Sequence, residues 1–222
     1  MGEVDLFPLY LSLKVAGLAT VLSFIVGTAL AWAMARLEFP GKSTVGALVM
    51  LPMVLPPTVL GYYLLVVVGR QGPLGYFLEN RLGVTLVFTW EAAVIASSIV
   101  SIPLLVRAAQ AAFEGVDPSL ENAARTLGRS ELAIFLTVTV PLAWPGIIVG
   151  TALAFTRALG EFGATLMVAG NIPGLTQTMP IAIYDAVQSG NTALANILVG
   201  LVTVFALVTL LLLERVGKVT RW

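Results

Sequence analysis

Two long runs without a charged side chain set the limits of what this chain can fold into. Val15–Ala35 is uncharged for 21 residues and Ser43–Gly69 for 27. A hydrocarbon layer of roughly 30 Å takes about 20 helical residues to cross, so each run is long enough to pass through a bilayer once. Similar stretches at Trp90–Ala109, Pro141–Ala169 and Thr192–Leu213 bring the expected spans to five. Pro52, Pro56 and Pro57 interrupt the second, which predicts a broken or kinked early part and a regular later part, VLGYYLLVVVG. With 58% of residues hydrophobic, 11% charged and a mean hydropathy of +0.97, the chain reads as an all-α membrane protein. Residues 1–222 form one transmembrane domain, with no room for a large soluble catalytic module.

Composition also narrows the chemistry. The chain has no cysteine and no histidine, so it can build neither thiolate zinc sites nor Ser-His or Cys-His nucleophiles. Its formal net charge is zero, and no basic patch argues for nucleic acid. The first residues, MGEVDLFPLY, are acidic where a secretory signal is basic, so they are expected to belong to the mature protein.

The basic residues are unevenly distributed. Arg36 and Lys42 fall between spans one and two, Arg107, Arg125 and Arg129 between three and four, and Arg215, Lys218 and Arg221 after span five. Only Lys14, Arg70 and Arg81 lie on the other side. The positive-inside rule then predicts an N-terminus outside the cell and a C-terminus in the cytoplasm of a plasma or inner membrane.

The loop at about 110–141 is therefore expected to be cytoplasmic, and it carries helix signals. Asp117 suits an N-cap, Pro118 the first helical position, and Gly128 the left-handed residue that ends a helix. Between them Leu120, Ala123, Ala124 and Leu127 fall on one apolar face, with Glu121, Asn122 and Arg125 on the other. Ser130 offers a second N-cap, and a further helical run leads to Pro141. A helix this short is marginal alone in water. Either it lies against its own bundle as a connector, or it docks into a cleft on a cytoplasmic partner.

The spacing of Ala123, Ala124, Gly128, Val138, Val140 and Pro141 resembles the cytoplasmic "EAA" loop of ABC importer permeases, with Asn122 at the family's leading Glu and the acid one position earlier, at Glu121. FPGKS, LPMVLPPTVLGYYLL, AFEGVDPSLENAARTLG, PGIIVGTALAFTRALGEFGAT and NIPGLTQTMPIAIY extend the likeness along most of the chain, towards molybdate permeases. Sulfate permeases are similar at GEFGA and in the loop helix, and tungstate is a near-isostere of molybdate.

This resemblance implies a type I importer permease that works as a homodimer. Two cytoplasmic ATPase subunits and an extracytoplasmic oxyanion-binding protein are its implied partners. It also implies that Asp117, Glu121, Asn122, Ala123, Ala124, Arg125, Leu127 and Gly128 couple the chain to the ATPase. No cofactor is expected on this chain, ATP and magnesium belonging to the partner. Gly41-Lys42-Ser43 has the tail of a phosphate loop, but it follows an apolar helix rather than a strand and lacks the first glycine.

Inside the membrane, Arg157 and Glu161 stand at i, i+4 near the middle of the fourth span. A lone charge there is costly, so the two are expected to neutralise each other. One reading is a structural intrahelical pair. The other sets them on the dimer axis, with Ser101 and Thr165, along a translocation path that attracts a divalent anion without holding it. Ser97, Ser98, Thr151 and Thr156 are weaker candidates for that lining, since small hydroxyl residues more often serve helix packing. A secondary anion carrier would show inverted repeats and paired midplane acids, which the two halves do not. A purely structural anchor would need only the greasy helices and a docking loop.

Overall fold

The computed structural model describes residues 5–219, with side chains up to residue 211. Arg221 and the side chains of Arg215 and Lys218, three of the basic residues used for orientation, lie outside the described residues.

Helix α1 (Phe7–Arg36) begins eight residues before the first uncharged run, with Pro8 early in its first turn. Lys14 therefore sits within the helix rather than before it. Its ammonium lies 3.4 Å from the centroid of the Trp90 ring, a cation–π contact that lets a charge remain beside the apolar bundle.

The prolines of the second run do more than kink it. Helix α2 (Lys42–Val54) stops at Leu55, and α3 (Pro57–Val68) departs at 114° to it. Pro56 and Pro57 remove two successive backbone donors, so the helical ladder cannot continue through them. Among the described residues four other helices are long and apolar enough to cross a membrane, and this bent pair is the fifth candidate. Helix α4 (Pro73–Leu82) comes next and ends on Gly83 in the left-handed conformation.

At the centre is α5 (Trp90–Glu114), capped by Thr89 and packed mainly on α1 and on a later long helix. That later helix also departs from expectation. It is continuous from Glu131 to Leu159, starting ten residues before Pro141. It comprises α7 (Glu131–Ile134), a π-turn at Phe135–Thr139, and α8 (Val140–Leu159). Pro141 would break an ordinary α-helical ladder. The wider π-turn just before it absorbs the missing donor and the bulk of the ring, so the helix passes through.

Close packing between α5 and α8 depends on glycine. A Cβ at Gly146 would lie 2.4 Å from the Ala112 methyl, and one at Gly150 would lie 3.0 Å from that of Ala108. This small-xxx-small spacing lets two backbones approach where lipid offers no hydrophobic drive. Among the described residues the two larger apolar clusters lie around Leu11, Val15, Val100 and Val168 and around Leu105, Phe113 and Ile147, with a smaller third at Met179, Ala182 and Leu198.

The fourth run does not reach Ala169 as one helix. It stops at Leu159, and a separate short helix, α9 (Gly163–Ala169), packs on α3. The loop after it folds back so that Thr176, Gln177 and Thr178 are buried. Helix α10 (Met179–Gln188) is tied to α1 where Met179 N–H donates to Ser12 Oγ at 2.8 Å. Asp185 accepts from Asn171 at 2.9 Å. Helix α11 (Thr192–Val219) ends the described chain, its apolar flank largely exposed.

Candidate functional site

The helix signals of the loop are realised in α6 (Pro118–Thr126). Asp117 Oδ1 accepts the Ser119 N–H at 2.8 Å. That backbone hydrogen bond holds the Asp117 carboxyl below its usual range. Gly128 has φ +77°, the Gly128 N–H donates to Arg125 O, and the Arg129 N–H donates to Ala124 O. These two bonds close the helix with a Schellman motif. Ser130 then caps α7 through the Ala133 N–H.

The apolar face of α6, however, is not packed on the bundle, and one member of its polar face turns inward instead. Leu120 and Leu127 are 49% and 82% exposed, and Ala123 is exposed with them. Glu121, expected on the outer polar face, is 7% exposed and is the only buried residue of the helix. Its Oε1 accepts from Arg36 Nη2 at 2.9 Å and from Thr139 Oγ1 at 2.6 Å. A carboxylate can turn inward here because a guanidinium and a hydroxyl replace its hydration.

Arg125 does stay on the surface. Its Nε and Nη2 donate to both oxygens of Glu131, and its Nη1 donates to Asn122. These bonds lower the Glu131 carboxyl and raise the guanidinium. The outer side of α6 thus offers an apolar strip, Leu120, Ala123 and Leu127, beside an ordered charged rim. An open cleft of about 370 Å³ lies behind it, lined by Trp32, Arg36, Glu121, Arg125, Glu131 and Thr139.

The second candidate site lies at the break between α8 and α9. Arg157 occupies the last turn of α8, and Glu161 falls beyond the helix end, so the pair is not within one regular helix. Glu161 is 2% exposed. Its Oε2 pairs with Arg157 Nη1 at 2.9 Å while its Oε1 accepts the Ala164 N–H at 2.8 Å. One carboxylate therefore neutralises a cation and caps the start of α9. Arg157 is the more accessible partner, with 32% of its side chain exposed.

The remaining lining candidates divide. Thr165 is adjacent to this break but buried, donating to Phe162 O at 2.8 Å. Ser101 is fully buried elsewhere, between α5 and α1, bonded to Ser97 O and Ser23 Oγ. Ser98, Thr151 and Thr156 likewise donate to carbonyls of their own helices. Ser98, Ser101 and Thr165 are buried within the bundle, while Thr151 and Thr156 are half-buried; in all of them the hydroxyl satisfies a backbone carbonyl of the bundle. Lys42, in the segment resembling a phosphate loop, opens α2 and pairs with Glu38 in the connection before it. Among the described residues no cluster of acids could hold a metal ion.

Sequence reasoning missed Arg36 and Thr139 as partners of Glu121. They are separated from it by 85 and 18 positions, and no local pattern marks them.

A bundle of apolar helices with a broken span, a charged pair at a helix break and a capped loop helix at one end defines a multi-pass helical membrane protein. The chain belongs to the family described as "Binding-protein-dependent transport system inner membrane component", matched over residues 7–221, and it is a multi-pass protein of the inner membrane. It is 46% identical to the Molybdenum transport system permease protein ModB of Escherichia coli (strain K12), over 95% of this chain and 93% of that protein. It is 44% identical to the Putative molybdenum transport system permease protein YvgM of Bacillus subtilis (strain 168), over 94% and 92%. The Sulfate transport system permease protein CysT of Salmonella typhimurium (strain LT2) is 34% identical, over 90% and 72%. Among solved structures, a bacterial ABC transporter for import of alginate shares the fold with TM-score 0.80 at 17% identity, covering all of this chain and 82% of that one.

Proposed function

We propose that the chain is the permease subunit of an ATP-driven importer of molybdate. Its N-terminus lies outside the cell, its C-terminus in the cytoplasm, and two copies line the path. The observation that carries this reading is the inverted loop helix: α6 buries its acid and exposes Leu120, Ala123 and Leu127. An exposed apolar strip on a helix with no apolar anchor of its own is what a partner's cleft would cover. A separate cytoplasmic ATPase, carrying ATP and magnesium, is that partner. Asp117, Asn122, Ala123, Ala124, Arg125, Leu127 and Gly128 form or shape the contact, whereas Glu121 points away from it.

An extracytoplasmic binding protein delivers the anion. Arg157, a third exposed in the single chain, attracts it, and Glu161 keeps the attraction weak enough for release. Molybdate is favoured over sulfate by the higher identity to the molybdenum permeases, 46% against 34%.

The test is uptake into proteoliposomes containing the permease, its ATPase and its binding protein, with labelled molybdate, tungstate and sulfate in competition. ATP-dependent molybdate uptake, inhibited by tungstate and not by equimolar sulfate, is the expected result. Preferential sulfate uptake would reassign the cargo, and uptake without ATP would remove the importer reading altogether.

A further inference from the structure

Helix α6 has nine residues and buries no apolar side chain. It is joined to α5 and α7 by short connections that turn at Gly115 and at the left-handed Gly128. A push on its outer face would be absorbed in those connections unless something ties it to the bundle. The Glu121 carboxylate does so, at the one point where three elements meet. Arg36 is the last residue of α1, Thr139 is the last residue of the π-turn, and both bond to Glu121 Oε1.

The π-turn sets up this meeting. One extra residue in a turn rotates the later part of the helix by roughly 100° relative to a regular one, and Thr139 ends it 3% exposed, facing Glu121. Trp32 packs edge-on to Phe135 beside it, ring centroids 5.7 Å apart, so α1 and the π-turn are already in contact without the acid. As packing, the cluster is poor. Arg36 Nε is buried with no acceptor, and buried ion pairs commonly stabilise less than apolar residues of the same volume. A cluster that gains little stability yet links three elements is suited to fixing geometry.

We propose that Glu121, held by Arg36 and Thr139, is a positioning residue that makes α6, the end of α1 and the π-turn move as one body. Displacement of α6 by the ATPase then enters two membrane helices directly instead of being lost in the loop. Glu121 acts on transport through α1 and α8, not through contact with the ATPase or the anion. The inference rests on the importer reading above.

The experiment measures labelled molybdate transported per ATP hydrolysed in proteoliposomes of the whole complex. Glu121→Gln, Thr139→Val and Arg36→Gln should each lower this ratio by about fivefold or more, and Arg36→Lys, which keeps the charge, should recover much of it. Combining Arg36→Gln with Glu121→Gln should do no more than either alone, because one linkage is lost once. Ratios within about twofold of the unmodified complex in the assembled variants would overturn the proposal. So would a loss confined to the amount of complex assembled, which a merely structural pair would give. Should Glu121→Gln fail to assemble, Thr139→Val, nearly isosteric, decides the matter alone. Failure of the importer reading looks different: the unmodified complex itself would then show no ATP-driven molybdate uptake.

Discussion

Glu161 has two tasks that a single substitution can separate. Glutamine keeps an oxygen for the Ala164 N–H but leaves Arg157 without its counter-charge, whereas alanine removes both functions. Breaking such a pair in a membrane leaves an uncompensated cation, so Glu161→Ala should cost about 3 kcal/mol of stability, measured as a lowered midpoint of thermal unfolding in detergent. Arg157→Gln, whose amide can still donate to Glu161 while the Ala164 N–H keeps its bond, should assemble and yet reduce molybdate uptake about tenfold, equivalent to about 1.4 kcal/mol in the barrier. Ordinary uptake by this variant would make the pair purely structural.

On the loop, Arg125 holds the Glu131 carboxyl below its ordinary value. A depressed carboxylate contributes stability that is present above its unfolded pKa and lost as pH falls through the folded one. Proteolysis of the loop should therefore be constant through neutral and mildly acidic pH and accelerate only once the pH falls below the ordinary carboxylate range. Arg125→Gln should abolish that protection at all pH values.

Helix α6 is short, and both of its ends are set by local capping bonds. A Cβ at Gly128 would meet nothing within 4 Å, but φ +77° is strained for any side chain. Gly128→Val should cost about 1–2 kcal/mol locally and misdirect the chain into α7. The expected result is loss of uptake with unchanged membrane insertion, measured by fractionation alongside transport. The neighbouring long helix is governed differently: its π-turn and the Gly146 and Gly150 contacts hold it against α5, so it can carry a proline near its middle without bending away.

Orientation is a property of the entire molecule and is tested most simply by exploiting its lack of cysteine. A lone Leu127→Cys, on an exposed position of the loop at the end of α6, should react with an impermeant maleimide only in inverted vesicles. A cysteine at Val187, exposed near the end of α10, should react only in right-side-out spheroplasts. Labelling of both from the same side would refute the proposed topology. The apolar flanks of α2 and α11 are largely exposed among the described residues, which suits helices whose outer sides meet lipid.

What the linear chain determined is whatever depends on near neighbours. Charge-free runs of membrane length define the apolar spans, and Asp117, Pro118, Gly128 and Ser130 define the ends of two helices, because hydropathy and capping act over one or two turns. The meeting of Arg36, Glu121 and Thr139, the 114° turn at Pro56–Pro57, and the division of the fourth run at Glu161 were decided only by the tertiary structure. The physical reason is burial. In the isolated sequence Glu121 belongs with the polar residues of its helix, and only when the ends of α1 and the π-turn supply a cation and a hydroxyl does turning it inward become cheaper than leaving it in water.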